Sequence, residues 1–215
     1  GPRGENRQEV PVAAVAEMRG KARQILEGAR AVFLESGYEG ASTDEIARRA
    51  QVSKGTLYKY YPDKRTLFLA VIEDECRRQA ENALDIDPRS ADTEATLRQV
   101  ARRVVRALLS PRLQEIFRLV IAESERFPEM SRAFYFAGPD RGQRRLSQFL
   151  AGAVARGDLG IADIDLAACQ LDELCKADLF TRALFGALDS VTEADMDRVA
   201  DAAADTFLRA YRPAA

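Results

Sequence analysis

The residues best suited to chemistry stand together. Ser53, Lys54, Gly55, Thr56, Tyr58, Lys59 and Tyr60 lie in the stretch QVSKGTLYKYYPDKRTLF, Gln51 to Phe68. They supply hydroxyls, ammonium groups, an amphipathic ring and a residue with no side chain, a set suited to phosphate oxygens and base edges. A serine at a helix N-terminus offers hydroxyl and backbone N–H donors to a phosphate. Lys54 and Lys59 can meet guanine acceptors or neutralise phosphates, and Thr56 or the Tyr58 ring can touch a thymine methyl. Gly55 lets the backbone come close to a base edge or a phosphate. Tyr60 carries its hydroxyl on a rigid lever, and apolar Val52 and Leu57 are expected to face inward. Lys59 fits two roles equally, base reader or phosphate anchor. The plain alternative is an ordinary surface helix with a solvated charged face.

Such a surface needs a rigid support, and the flanking sequence spells one out in helices. From Met18 to Ser36 the apolar residues Ala22, Ile25, Leu26, Ala29, Val32 and Phe33 recur at helical spacing, and Gly37 is a C-terminal stop. Ser42 and Glu45 have the spacing of a capping box for a short helix carrying Ile46, Ala47 and Ala50. Gln51 and Val52 make a tight connection, Ser53 caps a second short helix, and Pro62 ends it. Two short helices joined tightly, with a third before them, make the plan of a helix-turn-helix DNA reader, whose second short helix enters the major groove. Arg48 and Arg49 read as a solvated face.

Helical signals continue to the end of the chain and strand signals are nearly absent, so the fold class is all-α, with about ten helices. ALDIDPRSAD, residues 83–92, is expected to be a loop and hinge between head and body. Pro111 and Pro128 suit first helical positions. Asp163 or Asp165 opens a long helix expected to reach Leu188, and Thr192 with Asp195 repeats the capping-box pattern. The expected organisation is a flexible arm over residues 1–16, a DNA-binding head over 17–62 and a larger helical body over 63–215. Gly1 and Pro2 have the character of a tag remnant and are set aside.

Composition narrows the function. The chain has no histidine, so triads of the Ser-His-Asp kind cannot be built and the commonest metal ligand is missing. Cys76, Cys169 and Cys175 are odd in number and widely spaced, without the pattern of a disulfide framework or a zinc site. No cofactor, metal or catalytic activity is implied. Nothing approaches the run of about 18 apolar residues that spans a bilayer. The N-terminus lacks a signal-peptide stretch, so the expected location is the cytoplasm, with no membrane partner. Net charge is −2, but residues 1–70 hold 12 Lys and Arg against 9 Asp and Glu, while the remainder is acidic. A basic head on an acidic body suits a DNA reader with a second domain.

Thr43 to Phe68, TDEIARRAQVSKGTLYKYYPDKRTLF, resembles the DNA-binding signature of the TetR family of one-component repressors. The resemblance implies that Thr43, Ser53, Tyr60 and Lys64 hold phosphates. It likewise implies that Lys54, Gly55, Thr56, Tyr58 and Lys59 approach bases or the adjacent backbone. The family often has histidine where Lys59 stands and usually phenylalanine where Tyr61 stands; Tyr61 is then a mostly buried ring. The implied function is a ligand-responsive regulator, most simply a repressor, bound as a homodimer to a palindromic double-stranded operator.

The segment with E-x-E-R-F-P-E-x-x-R-x-F-Y, from Glu123 to Tyr135, followed by Gly138-Pro139, resembles the C-terminal domain of the AefR-like subgroup. That resemblance implies no single effector. Phe117, Ile121, Phe134, Tyr135, Phe149 and Leu171 either line a pocket for a small apolar or amphipathic effector or are plain core. Glu123, Glu125 and Arg126 read as a buried ion pair fixing the turn at Phe127–Pro128. The family also implies a dimer through the last two helices; here these are apolar over Ile164–Leu188 and rich in alanine at Ala200, Ala202, Ala203 and Ala204. Cys169 and Cys175, six apart, do not share a face well enough for a redox pair. From other classes, an all-α enzyme or a protein-binding adaptor could use the same cavity or apolar faces.

Overall fold

The computed structural model describes residues 12–213; Gly1, Pro2 and most of the expected arm lie outside them. The described residues form eleven helices and no strand. They are α1 (Val12–Gly40), α2 (Thr43–Arg49), α3 (Lys54–Tyr60), α4 (Lys64–Ala83), α5 (Thr93–Leu108), α6 (Pro111–Glu123), α7 (Pro128–Ala137), α8 (Pro139–Ala155), α9 (Ile164–Cys175), α10 (Leu179–Leu184) and α11 (Glu193–Ala210). They make two compact units, one ending at Val71 and the other beginning at Ile72. The division falls inside α4, whose sequence contains neither glycine nor proline to break it. The loop over residues 84–92 therefore belongs to the second unit and is not the boundary.

In the first unit α1 buries Ile25, Ala29, Val32 and Phe33 of the stripe expected from its spacing, and Ala22 and Leu26 are half-buried. Gly37 ends the helical run with φ 68° and ψ −178°, backbone that a side chain would strain. Phe68 of α4 closes this core against Phe33 (ring centroids 4.8 Å apart) and Tyr38 (5.0 Å). Local hydrogen bonds set both short helices. Ser42 Oγ accepts from Glu45 N at 3.1 Å and Ser53 Oγ from Thr56 N at 3.0 Å. Only half of the first capping box forms, because the Glu45 carboxylate accepts from Arg48 Nε at 2.8 Å. The link between α2 and α3 is a Schellman turn: Gln51 has φ 56°, its N–H donates to Arg48 O (3.1 Å), and Val52 N–H donates to Ala47 O (3.0 Å).

In the second unit α5 lies against α11 and α8 against α9, around Leu97, Val100, Ala101, Phe149, Leu171 and Phe207. Pro111 and Pro128 stand at first helical positions, and Thr192 with Asp195 closes a full capping box. The helix expected to run unbroken from residue 164 to 188 is two helices. Asp178 breaks it with φ 64°, and its carboxylate is held by Arg182 at 3.2 Å and Arg198 at 2.6 Å. Hydrogen bonds from Arg198 first, then Arg182, lower its pKa. Of the two partners Arg182 is local to α10, whereas Arg198 comes from α11. Glu125 and Arg126 are exposed and Glu123 is half-buried, so these charges are not buried as expected beside Phe127; Arg126 lies over the Phe127 ring, 5.2 Å from its centroid.

Candidate nucleic-acid interface and ligand cavity

The expected reading residues occupy α3 and its approaches. Leu57, 1% exposed, anchors α3 in the core, while Ser53, Lys54, Gly55, Tyr58 and Lys59 are exposed and Thr56 and Tyr60 are half-buried. A Cβ built on Gly55 would meet nothing nearer than Ser53 Oγ at 3.9 Å, so the glycine leaves open surface. The Thr43 and Tyr58 hydroxyls share a hydrogen bond at 3.1 Å, and those of Ser53 and Thr56 share one at 2.8 Å. Tyr61 is half-buried, less enclosed than expected.

The cations around this surface are mostly committed. Lys54 Nζ lies 2.8 Å from Asp44 Oδ1, and that hydrogen-bonded pairing raises the lysine's pKa. Arg49 grips Glu35 with both terminal nitrogens, at 3.0 and 2.8 Å, and the hydrogen bonds lower the Glu35 pKa. Arg48 holds Glu45 through Nε and Nη2, and these hydrogen bonds lower the Glu45 pKa. Lys64 turns inward: its ammonium donates to Tyr38 O (2.9 Å) and Ala41 O (3.1 Å) and sits 4.5 Å from the Tyr38 ring centroid. Two of its three donors are used in tying α4 to the end of α1. The Lys59 side chain is exposed and makes no hydrogen bond or ion pair among the described residues.

One positioning residue escapes a motif reading. A Cβ on Gly28 of α1 would stand 2.7–2.8 Å from the N, Cα and Cβ of Ala50, at the turn that launches α3. Gln24 Nε2 donates to Ala50 O at 2.7 Å beside it. Glycine in a helix interior is the only sequence signal of this contact.

The second unit contains a largely apolar cavity of about 130 Å3 between α4, α5, α6, α7, α8 and α9. Phe117, Phe134 and Leu171 line it. The other three expected lining residues stand elsewhere. Ile121 (57% exposed) and Tyr135 (46%) lie on outward helix faces, and Phe149 (0%) is spent on the core around α8. Cys76 and Cys175 reach the cavity wall, where burial pushes their thiol pKa values up, that of Cys175 to about 12.

Residues 95–213 match the AefR-like transcriptional repressor C-terminal domain, and residues 25–71 match the bacterial regulatory proteins of the tetR family. The chain belongs to the TetR family. A solved TetR-family transcriptional regulator from Mesorhizobium loti MAFF303099 is 31% identical, covering 90% of this chain and 98% of that one, with a TM-score of 0.83. The flavonoid-responsive regulator FrrA is 33% identical over 92% of this chain and 100% of its own, with a TM-score of 0.77. Among curated TetR relatives, the repressor AcnR of Corynebacterium diphtheriae is 38% identical over 72 residues. That match spans 34% of this chain and 38% of AcnR, so the chain covers little more than a third of that relative's length.

Proposed function

We propose that this TetR-family chain is a ligand-responsive repressor that binds a palindromic operator as a homodimer. The observation that carries the reading is the presentation of α3: Leu57 holds it in the core while Lys54, Gly55, Tyr58 and Lys59 face solvent together. In this reading the head, residues 17–62, places α3 in a major groove, and two heads meet half-sites about 34–36 Å apart or a multiple of that. Thr43, Ser53, Tyr60 and the remaining donor of Lys64 hold phosphates. Lys54, Gly55, Thr56, Tyr58 and Lys59 approach bases or the adjacent backbone.

The body, the unit that begins at Ile72, carries effector binding and dimerisation. Its cavity suits a small apolar or amphipathic effector. The occupied body favours a dimer with weaker operator affinity, so by linkage effector and operator oppose each other. The dimer surface is the outer side of α9 and α11. There Leu166, Cys169, Leu174 and Tyr211 line an open apolar groove, and Ala202 and Ala210 are exposed. The named sign of the relatives favours repression, although FasR of Mycolicibacterium smegmatis, 38% identical over 84 residues, is named an activator. Among the described residues no helix is long and apolar enough to cross a membrane, which fits action at chromosomal DNA in the cytoplasm.

The test is selection of genomic fragments by the purified protein. The wild type should retain a palindromic site, and a Lys54→Ala/Lys59→Ala variant should lose it. Equal retention by that variant would remove α3 as the reading helix.

A further inference from the structure

The polar groups of the cavity are unequally committed. Its wall carries two amides, Gln79 and Gln143, and one charged pair, Asp172 and Lys176. Gln79 Nε2 donates to Glu75 Oε1 at 3.1 Å. Lys176 Nζ is held by Asp172 Oδ2 at 2.7 Å and Glu173 Oε1 at 2.8 Å. Burial alone would lower the Lys176 pKa, but its two carboxylate partners outweigh this and raise it, so the pair stays charged and closed. The two thiols are neutral. Gln143 of α8 is different: it is half-buried, lines the cavity and has no hydrogen-bond partner among the described residues.

The rest of the wall sets size and shape. A space of about 130 Å3 is close to the roughly 150 Å3 of an engineered apolar cavity that stays dry and takes up benzene. It therefore accommodates a single ring with short substituents. Phe117 meets Phe134 edge to face at 5.1 Å and Phe180 edge to face at 5.2 Å, so one side of the cavity is aromatic. Lys176 already carries two carboxylates, so an anionic ligand would find only its third donor and would stand beside the like charges of Asp172 and Glu173.

We propose that Gln143 is the specificity group of this cavity, and that its ligand is a neutral single-ring compound whose one hydroxyl or carbonyl hydrogen-bonds the Gln143 amide. The proposal rests on the reading of the cavity as a ligand site. It adds the chemical class and the residue that selects it.

Three probes sharing one ring separate the possibilities: toluene, p-cresol and p-toluate, titrated into the full-length protein by calorimetry and thermal shift. Native-state binding must raise the melting temperature. p-Cresol should bind about three- to tenfold more tightly than toluene, as one net hydrogen bond requires, and p-toluate should bind least. Gln143→Leu should abolish the preference for p-cresol while still binding toluene, which also shows that the variant is folded. Ala107→Leu, which fills part of the cavity, should weaken all three.

A preference unchanged in Gln143→Leu, or p-toluate as the tightest probe, would overturn the assignment while the cavity remains a ligand site. No binding of any probe to wild type, or undiminished binding to Ala107→Leu, would overturn both. Gln143-dependent binding without release of operator DNA would uphold this assignment and remove the effector reading instead.

Discussion

Gly28→Ala places the support of the reading helix under direct test. In an unconstrained helix interior, alanine is favoured over glycine by about 0.5–1 kcal/mol. At Gly28 the added methyl would stand 2.7 Å from Ala50 N and 2.8 Å from its Cα and Cβ, distances that real Cβ atoms do not adopt. The obstacle is backbone and a methyl group, so no side chain can swing away, and the Gln24–Ala50 hydrogen bond holds the two segments together. Overpacking of this kind costs about 1–3 kcal/mol. The close approach to three atoms puts it at the upper end, so the net effect is a loss of about 1–2 kcal/mol. Gly20 of the same helix is the internal control, because a Cβ there meets nothing within 4 Å. For a chain of this size, about 2–4 °C accompanies each kcal/mol. Thermal and urea unfolding should show Gly28→Ala lower by about 2–8 °C and Gly20→Ala equal to wild type or up to about 4 °C higher. Affinity for wild-type-selected DNA should fall in Gly28→Ala alone, since the displaced residue is the turn before α3. A Gly28→Ala protein as stable as Gly20→Ala would refute the close-approach argument.

Gln51→Gly should stabilise the protein by about 0.5–1 kcal/mol by relieving the left-handed turn residue, whereas Gln51→Val should destabilise it; denaturant titration separates the two. Asp44→Asn frees Lys54 for phosphate, so affinity for random DNA should rise and the slope of log affinity against log salt should steepen by about one unit. An unchanged slope in that variant would mean that the ion pair does not restrain Lys54. Asp158 accepts from Thr93 Oγ1 at 2.7 Å and then from Arg156, and both hydrogen bonds depress its pKa below the usual carboxylate value. Its stabilisation is therefore fully present above about pH 4 and is lost as pH falls through the lower folded value. The gap in melting temperature between wild type and Asp158→Asn should be open at pH 7 and close in strong acid.

Features confined to a few consecutive residues were legible in the chain. Ser53 and Thr192 cap the helices they precede, Pro111 and Pro128 begin theirs, and Gly37 ends the first helical run. Each depends on hydrogen bonds or torsions spanning no more than about four residues, so residue order alone specifies it. The α3 surface was legible for the same reason, since one short helix carries most of its groups. Tertiary structure decided what depends on distant segments. Gly28 matters only because Ala50 lies against it, and Lys64 turns inward only because two carbonyls at the end of α1 await it. Asp178, at the break between α9 and α10, pairs with Arg198 of another helix, a contact that residue order does not announce. Phe117 and Phe149 are the same residue type on helical stripes, yet one faces a cavity and the other is enclosed by neighbouring helices. Periodicity states that a side chain leaves water; only the packing of other helices determines whether it meets a wall or a space.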